Sequence, residues 1–169
     1  LARFLEHLGP EMEKRGVDVF FGTLERANEK LLEPSMLTPS VRRHVKGVGF
    51  QWAGKGAVDA VRRAYHGLKL YQTEQECGDG RNDWRYCRYA WSLMKRYFRA
   101  GVSGYLYWNL ALQKGGVSRW GWAQNSLAVV DAQARTFAWT HEYYLLKHVS
   151  HFVQPGARYI ETASYNAVE

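Results

Sequence analysis

The chain has 169 residues and a mass of 19.5 kDa, which is enough for one domain with a real core and too little for two. With 46% hydrophobic and 23% charged residues, and with no stretch near the roughly 18 consecutive apolar residues of a membrane helix, it is predicted to be soluble and globular, without a transmembrane segment. The net charge is +7, but Lys and Arg are spread beside acidic residues at helix-like spacings, which argues against a nucleic-acid partner.

The early part of the chain predicts alternating helices and strands. In chain order these are a helix over Leu1–Lys14, a strand over Val17–Leu24, a short helix over Ser40–His44, a strand over Val45–Trp52, a helix over Ala57–Tyr65, a strand over Leu68–Thr73, a helix over Trp84–Phe98 and a strand over Val102–Leu112. Apolar residues recur at helical spacing in the helices, and Val and Phe are concentrated in the strands. Four strands separated by helices predict an α/β fold with a parallel sheet, and a doubly wound sheet and half of a (β/α)₈ barrel both fit.

Beyond Leu112 the pattern changes. Asn125–Asp131 and Thr136–Trp139 predict a β-hairpin, Tyr143–Phe152 predicts a helix, and Arg158–Ala163 predicts the start of another strand. We expect this tail to lead into a second, β-rich domain.

Polar and aromatic side chains follow the predicted strands. They are Glu25 and Arg26, Gln51 and Trp52, Glu74 to Glu76, and Trp108 and Asn109. The carboxyl ends of parallel strands meet at one edge of a sheet, where active sites of such folds lie. Acids, amides and indoles at one edge are typical of a sugar site, because ring faces pack on sugars while amides bond the hydroxyls. An aromatic content of 15% also fits a Tyr- and Trp-rich core.

Glu74 ends an apolar strand, and Gly78 and Gly80 behind it let the backbone turn away sharply. A glutamate held in this way can attack an anomeric carbon as a carboxylate. Taken alone, a solvated loop glutamate or a helix N-cap partner explains the position better.

Two segments resemble family 30 of the glycoside hydrolases, whose best-known members are glucosylceramidases. Leu70–Glu74 resembles the nucleophile segment on the family's seventh barrel strand, and Tyr107–Leu112 is similar to its eighth strand, where the Trp lines the sugar pocket. The resemblance implies that residues 1–124 form the carboxyl-terminal half of a (β/α)₈ barrel. Residues 125–169 would then hold the last barrel elements and the start of a β-sandwich side domain.

The resemblance implies a retaining β-glycosidase of glucosylceramidase or β-glucosidase type, acting on a carbohydrate or glycolipid as in sphingolipid metabolism, with no cofactor and no metal. Its nucleophile would be Glu74. The predicted substrate-binding residues are Trp108, Gln51, Trp52, Asn109 and Trp120, and Trp120 with Trp122 fits a cap over the sugar and a cover of the barrel end equally well.

The family's acid/base residue is the Glu of an Asn-Glu-Pro segment after the fourth strand, which would lie upstream of Leu1. We therefore expect the natural amino terminus to be missing and the isolated fragment to be inactive. Both a cytoplasmic and a secreted location fit the sequence. Asn28-Glu29 is not that segment, because Lys30 follows it.

Two further departures concern the site. Gln51-Trp52-Ala53 stands where some relatives have His-Trp-Tyr, and Glu76 stands where glucosylceramidases often have Cys. An acid at position 76 is expected to alter the charge beside the nucleophile and with it the substrate preference. The alternative from a different class is a non-catalytic carbohydrate-binding module that uses the same aromatic residues.

Overall fold

A parallel four-stranded sheet organises the structure, which is a computed structural model describing residues 1–161. Its strands are β1 (Val19–Leu24), β2 (Val45–Gln51), β3 (Lys69–Glu74) and β4 (Gly104–Tyr105). They lie side by side in chain order, and each neighbouring pair is parallel. The mixed α/β class and the parallel sheet predicted from the sequence are therefore confirmed.

Each predicted helix is present close to its predicted range, and the short helix over Glu33–Met36 was not predicted. The helices are α1 (Ala2–Lys14), α2 (Glu33–Met36), α3 (Pro39–Arg42), α4 (Val58–Ala64), α5 (Trp84–Arg99) and α6 (His141–Phe152), with 3₁₀ turns over Glu29–Leu32 and Trp52–Ala57. Asp83 caps α5 by accepting a hydrogen bond from the Tyr86 amide at 2.9 Å, which satisfies an amide that the first turn leaves without a helical partner. No helix within residues 1–161 is long and apolar enough to cross a bilayer.

The core lies between the sheet and its helices. Phe50 of β2, Leu70 of β3 and Val61 of α4 are almost fully buried, and Tyr97 of α5 packs in the same cluster. β2 is buried along nearly its whole length, as strands of parallel sheets are when helices cover them. This packing fixes the strand ends at which the candidate site lies.

The single strand predicted over Val102–Leu112 is wrong. It is divided into β4 and β5 (Ala111–Gln113), which belong to different sheets. Between them Leu106 and Leu110 are exposed, and the Leu106 amide donates to the Gln72 side chain at 2.8 Å. The same amide also donates to the Gln72 main-chain oxygen at 3.1 Å. Beyond this point the chain leaves the parallel sheet although its apolar run continues, so the interruption was invisible in the pattern.

The predicted hairpin is confirmed. β5 pairs in parallel with β6 (Ala128–Asp131), which pairs antiparallel with β7 (Thr136–Trp139). The predicted strand over Arg158–Ala163 is wrong for residues 158–161, which form no strand, and its last two positions lie outside the described residues.

Candidate functional site

The candidate site lies where β2 and β3 end. Gln51 and Glu74 are partners in the parallel register, and Trp52 directly follows β2. The Trp52 indole nitrogen Nε1 donates a hydrogen bond to Oε1 of Glu74 at 2.7 Å. A half-buried carboxylate at a strand end thus has an indole donor aimed at it, in a geometry typical of charge-assisted hydrogen bonds.

The turn that carries Trp52 is unusually constrained. Trp52 has φ +47°, in the left-handed region that a bulky aromatic residue rarely adopts. Two residues later Gly54 packs directly on the end of β1, where an added Cβ would lie 1.9 Å from the Leu24 carbonyl oxygen. Only glycine fits this approach, and the 3₁₀ turn is therefore held tightly against the sheet end.

Glu76, two residues after Glu74, is enclosed by donors. Lys55 forms an ion pair with its carboxylate, and the Tyr89 hydroxyl donates to Oε1 at 3.2 Å. The Tyr86 hydroxyl donates to the main-chain oxygen of Glu76. The charge of Glu76, which the sequence predicted would alter the site, is therefore matched locally by Lys55.

The directions in which the pKa values of this cluster are shifted fit the same charge assignment. Burial lowers the pKa of Lys55, but the hydrogen bond and the charge of Glu76 outweigh it and leave the pKa above its ordinary value. Burial, reinforced by Glu76, raises the pKa of both Tyr86 and Tyr89. Near neutral pH Lys55 is therefore an ammonium, and both tyrosines keep the protons that they donate.

The strand beneath Glu74 is fixed by hydrogen bonds between neighbouring strands. The Thr73 hydroxyl donates to the Phe50 carbonyl at 3.1 Å and lies 2.5 Å from the Thr23 hydroxyl. The Tyr105 hydroxyl of β4 donates to the side-chain oxygen of Gln75, which is fully buried. These contacts hold Glu74 and its neighbours on a rigid support, as the side chains of a precise site require.

An open cleft of about 420 Å³ lies beside these residues. It is lined by Trp52, Glu76, Cys77, Gly78, Tyr86 and Trp122. Trp122 is anchored through its indole N–H to the Cys77 sulfur at 3.4 Å. Glu74 is not among the lining residues and is connected to the cleft through Trp52. Two indoles in the lining offer apolar faces of the kind that pack on sugar rings.

The structure brings three of the six predicted site residues together, and the other three have surroundings of their own. Gln51, Trp52 and Glu74 come together at the ends of β2 and β3. Trp108 is 41% exposed beyond β4, the neighbour of β3, and Trp120 is 66% exposed and stacks on Trp122 with ring centres 5.8 Å apart. The hydrogen bonds recorded for the Asn109 side chain go to Gln124 and Asn125. The roles of all six residues stay predictions.

Sequence reasoning missed the cluster around Glu76. Tyr86 and Tyr89 lie three residues apart on α5, a spacing that places both on one helix face and could have suggested a joint role. No sequence pattern indicated a role for Lys55, because a lysine in a glycine-rich turn is ordinary. Within residues 1–161 no three His, Cys, Asp or Glu side chains are placed to hold a metal ion, and Cys77 and Cys87 are free thiols.

Asn125 joins the loop after β3 to α6. Its side-chain oxygen accepts from the amides of Gly80 and Asn82 at 2.8 and 3.3 Å. Its side-chain nitrogen donates to Glu142 at 2.9 Å. Gly78 in this loop has φ +67° and lies against the Asn125 side chain. The cleft wall at Cys77 and Gly78 is therefore held by the segment that follows the sheet.

Comparison with solved structures assigns this architecture to a known fold. The chain is similar to SrfJ from Salmonella typhimurium, with a TM-score of 0.76 and 21% identity over 88% of this chain and 36% of that one. An endo-β1,6-glucanase matches with a TM-score of 0.71 and 20% identity over 90% and 38% of the two chains. A glycoside hydrolase family 30 subfamily 8 xylanase from Clostridium acetobutylicum matches with a TM-score of 0.66 and 16% identity, over 91% of this chain and 36% of that one.

These similarities show that the chain has the fold of part of these solved structures, two of which are named as a glucanase and a xylanase. At identities of 16 to 21% they establish the fold alone. The chain spans less than two fifths of the length of each of these solved structures. Models of known protein families and curated proteins yield no match.

Proposed function

We propose that this chain is the carboxyl-terminal half, strands five to eight, of the (β/α)₈ barrel of a retaining β-glycosidase, with Glu74 as its nucleophile. The observation that carries the proposal is the 2.7 Å hydrogen bond from Trp52 Nε1 to Glu74, at the strand end where such folds hold their chemistry. A glutamate that is oriented by a neighbouring indole on a rigid sheet end differs from a solvated loop glutamate, which would have no fixed direction.

The proposed reaction is a double displacement. A Glu74 carboxylate oxygen attacks the anomeric carbon, the glycosidic C–O bond breaks, and a second carboxyl group protonates the departing oxygen. Water then attacks the glycosyl-enzyme ester, the second group takes its proton, and Glu74 is released as a carboxylate. Because both steps invert the anomeric centre, the product keeps the β configuration.

The acid/base residue belongs, on this proposal, to strand four upstream of Leu1. The solved structures are far longer than this chain, which supports a match to part of a longer catalytic unit. Within it we assign residues 1–124 to a barrel half and 125–169 to the last barrel elements and the start of a β-sandwich. β5 and β6 pair across that boundary, so the two parts share a sheet.

The cleft supports a carbohydrate substrate. Trp52 and Trp122 in its lining offer ring faces on which a sugar can pack. Within carbohydrates and glycolipids the sequence resemblance favours a β-glucosidase or glucosylceramidase type. Structural neighbours named as a β1,6-glucanase and a xylanase make β-glucan and xylan the first alternatives to test.

Product stereochemistry tests the mechanism. The natural protein that carries this chain should release a β-anomer first from an aryl β-glycoside, as read by proton NMR before mutarotation. An initial α-anomer would contradict both the retaining mechanism and the nucleophile. Tight sugar binding without hydrolysis, in a protein that has the upstream strands, would favour the carbohydrate-binding module.

A further inference from the structure

We propose that the ion pair between Lys55 and Glu76 positions Trp52, so that the indole N–H of Trp52 is aimed at Glu74. Lys55 and Glu76 are then positioning residues of the site, and neither touches the reacting atoms. The proposal rests on the proposed function, because it assigns a purpose to the Trp52–Glu74 hydrogen bond.

The first ground is the backbone of Trp52. Its φ of +47° is unfavourable for a residue with a Cβ and a large ring, and such a conformation persists only where the surroundings hold it. The 3₁₀ turn that it opens has no side-chain cap. The holding contacts must therefore come from within the turn or from elements packed on it.

Lys55 supplies such a contact. Its ammonium donates to the Trp52 carbonyl oxygen at 3.3 Å and, at the same time, to the Glu76 carboxylate. An ammonium that bridges these two acceptors ties the peptide plane after Trp52 to the segment after β3. Fixing this peptide plane restricts rotation about the Cα–C bond of Trp52. It thereby restricts the direction in which the Trp52 side chain leaves the backbone.

Glu76 is in turn fixed from α5. Tyr89 donates to its carboxylate at 3.2 Å, and Tyr86 donates to its main-chain oxygen. A continuous series of contacts thus runs from α5 through Glu76, Lys55 and Trp52 to Glu74.

Burial distinguishes this ion pair from the surface pairs. The side chains of Lys55 and Glu76 are 28% and 19% exposed, whereas those of Lys14 and Glu11 are 71% and 56% exposed. Water and salt weaken exposed pairs, so the pair of α1 contributes little, while the half-buried pair keeps its strength and its direction. The Lys14–Glu11 pair is therefore a matched control within the same chain.

Steady-state kinetics of the natural protein carrying this chain form the first test. Lys55→Met and Glu76→Gln should each lower kcat about 10- to 100-fold, the effect of misplacing a group beside the chemistry, with KM changed less than about twofold. The kcat of the double variant should be no lower than that of the less active single variant, because both substitutions break the same ion pair. Lys55→Arg should recover part of the loss, and Lys14→Met should leave kcat unchanged.

The second test observes Trp52 directly and does not need turnover. The indole ¹H–¹⁵N signal of Trp52, assigned with Trp52→Phe, should move in Glu74→Gln and in both pair-breaking variants but not in Lys14→Met. Glu76→Gln is nearly isosteric and keeps an acceptor for Tyr89, so it serves if Lys55→Met does not fold. An unmoved signal in Glu76→Gln, or a loss confined to KM, would overturn the positioning role. Absence of any glycosidase activity with the expected signal changes would instead reject only the proposed function.

Discussion

Residues 1–105 and residues 106–161 are held together by different forces. In the described part of the chain every buried hydrophobic side chain except Ala128 lies at or before Val102. In the later region the fully buried side chains Asn125, Ser126 and Glu142 are polar. The parallel sheet is thus stabilised by apolar burial, whereas the hairpin and α6 are joined to it through hydrogen bonds whose strength depends on complete pairing.

The two regions place carboxylates in different settings: Glu74, proposed as the nucleophile, is half-buried at the end of the sheet, whereas Glu142 is fully buried in the later region. Glu74 and Glu76 lie at the end of the apolar region, where donors from two elements orient them. Glu142 lies in the polar region, where Asn125 bonds one of its oxygens and the other oxygen has no partner. The predictions below separate these roles.

The largest effect is expected at Glu74. In the natural protein that carries this chain, Glu74→Gln should lower kcat by several orders of magnitude, because the amide cannot form the glycosyl ester. The substitution is nearly isosteric, so the unfolding midpoint should hardly change. Glu76→Gln is the matched control and should lower kcat far less. Equal losses for the two variants would remove the distinction between nucleophile and positioning residue.

The next largest effect should come from Asn125. Asn125→Ala leaves the amides of Gly80 and Asn82 and the carboxylate of Glu142 without their partner, and should lower the free energy of unfolding by about 2–4 kcal/mol. Urea unfolding measures this change in the free energy of unfolding. The control Gln133→Ala, in the exposed turn between β6 and β7, should change it by less than about 0.5 kcal/mol. Similar values for the two variants would mean that the polar contacts do not hold the later region.

A smaller effect is expected at Trp108. If it lines the sugar pocket, Trp108→Ala should weaken binding of a sugar-shaped inhibitor by about 1–3 kcal/mol, the scale of a lost aromatic contact, without changing the unfolding midpoint. Calorimetric titration measures the affinity. Trp91→Ala removes an equally exposed indole from α5, with both Trp91 and Trp108 41% exposed, and should leave affinity unchanged. An unchanged affinity for Trp108→Ala would assign that ring to structure.

The smallest effect concerns Glu142. Burial raises its pKa, and hydrogen bonds within α6 and from Asn125 only partly oppose this. A raised pKa in the folded state means that this group's stabilisation is complete below its unfolded pKa and is lost as pH rises through the folded pKa. Glu142→Gln should therefore be more stable than the parent at pH 7, on the order of 1 kcal/mol, and the difference should shrink toward pH 4.

Urea unfolding at several pH values measures that difference, with Glu11→Gln on exposed α1 as control. A constant difference between the two proteins across this range would show that Glu142 has the same protonation in the folded and unfolded states.

Sequence reasoning succeeded where apolar burial decides the structure. The strands around Phe50 and Leu70 and the helix over Trp84–Arg99 follow from hydrophobic periodicity, and the strand-end rule brought Gln51, Trp52 and Glu74 together. It failed at 106–110, where the chain passes from the parallel sheet to the second sheet although its apolar run continues. It also missed Lys55, because its role depends on Glu76, which is distant in sequence and carries no pattern of its own.

Covalent trapping of the nucleophile tests the central claim most directly. A 2-deoxy-2-fluoro β-glycoside with a good leaving group slows the second displacement, so the glycosyl ester accumulates on the attacking carboxylate. Incubation with the natural protein, followed by proteolysis and mass spectrometry, should place one sugar on Glu74 within the peptide that follows Leu70. Labelling of Glu76, or of a residue outside this chain, would contradict the account.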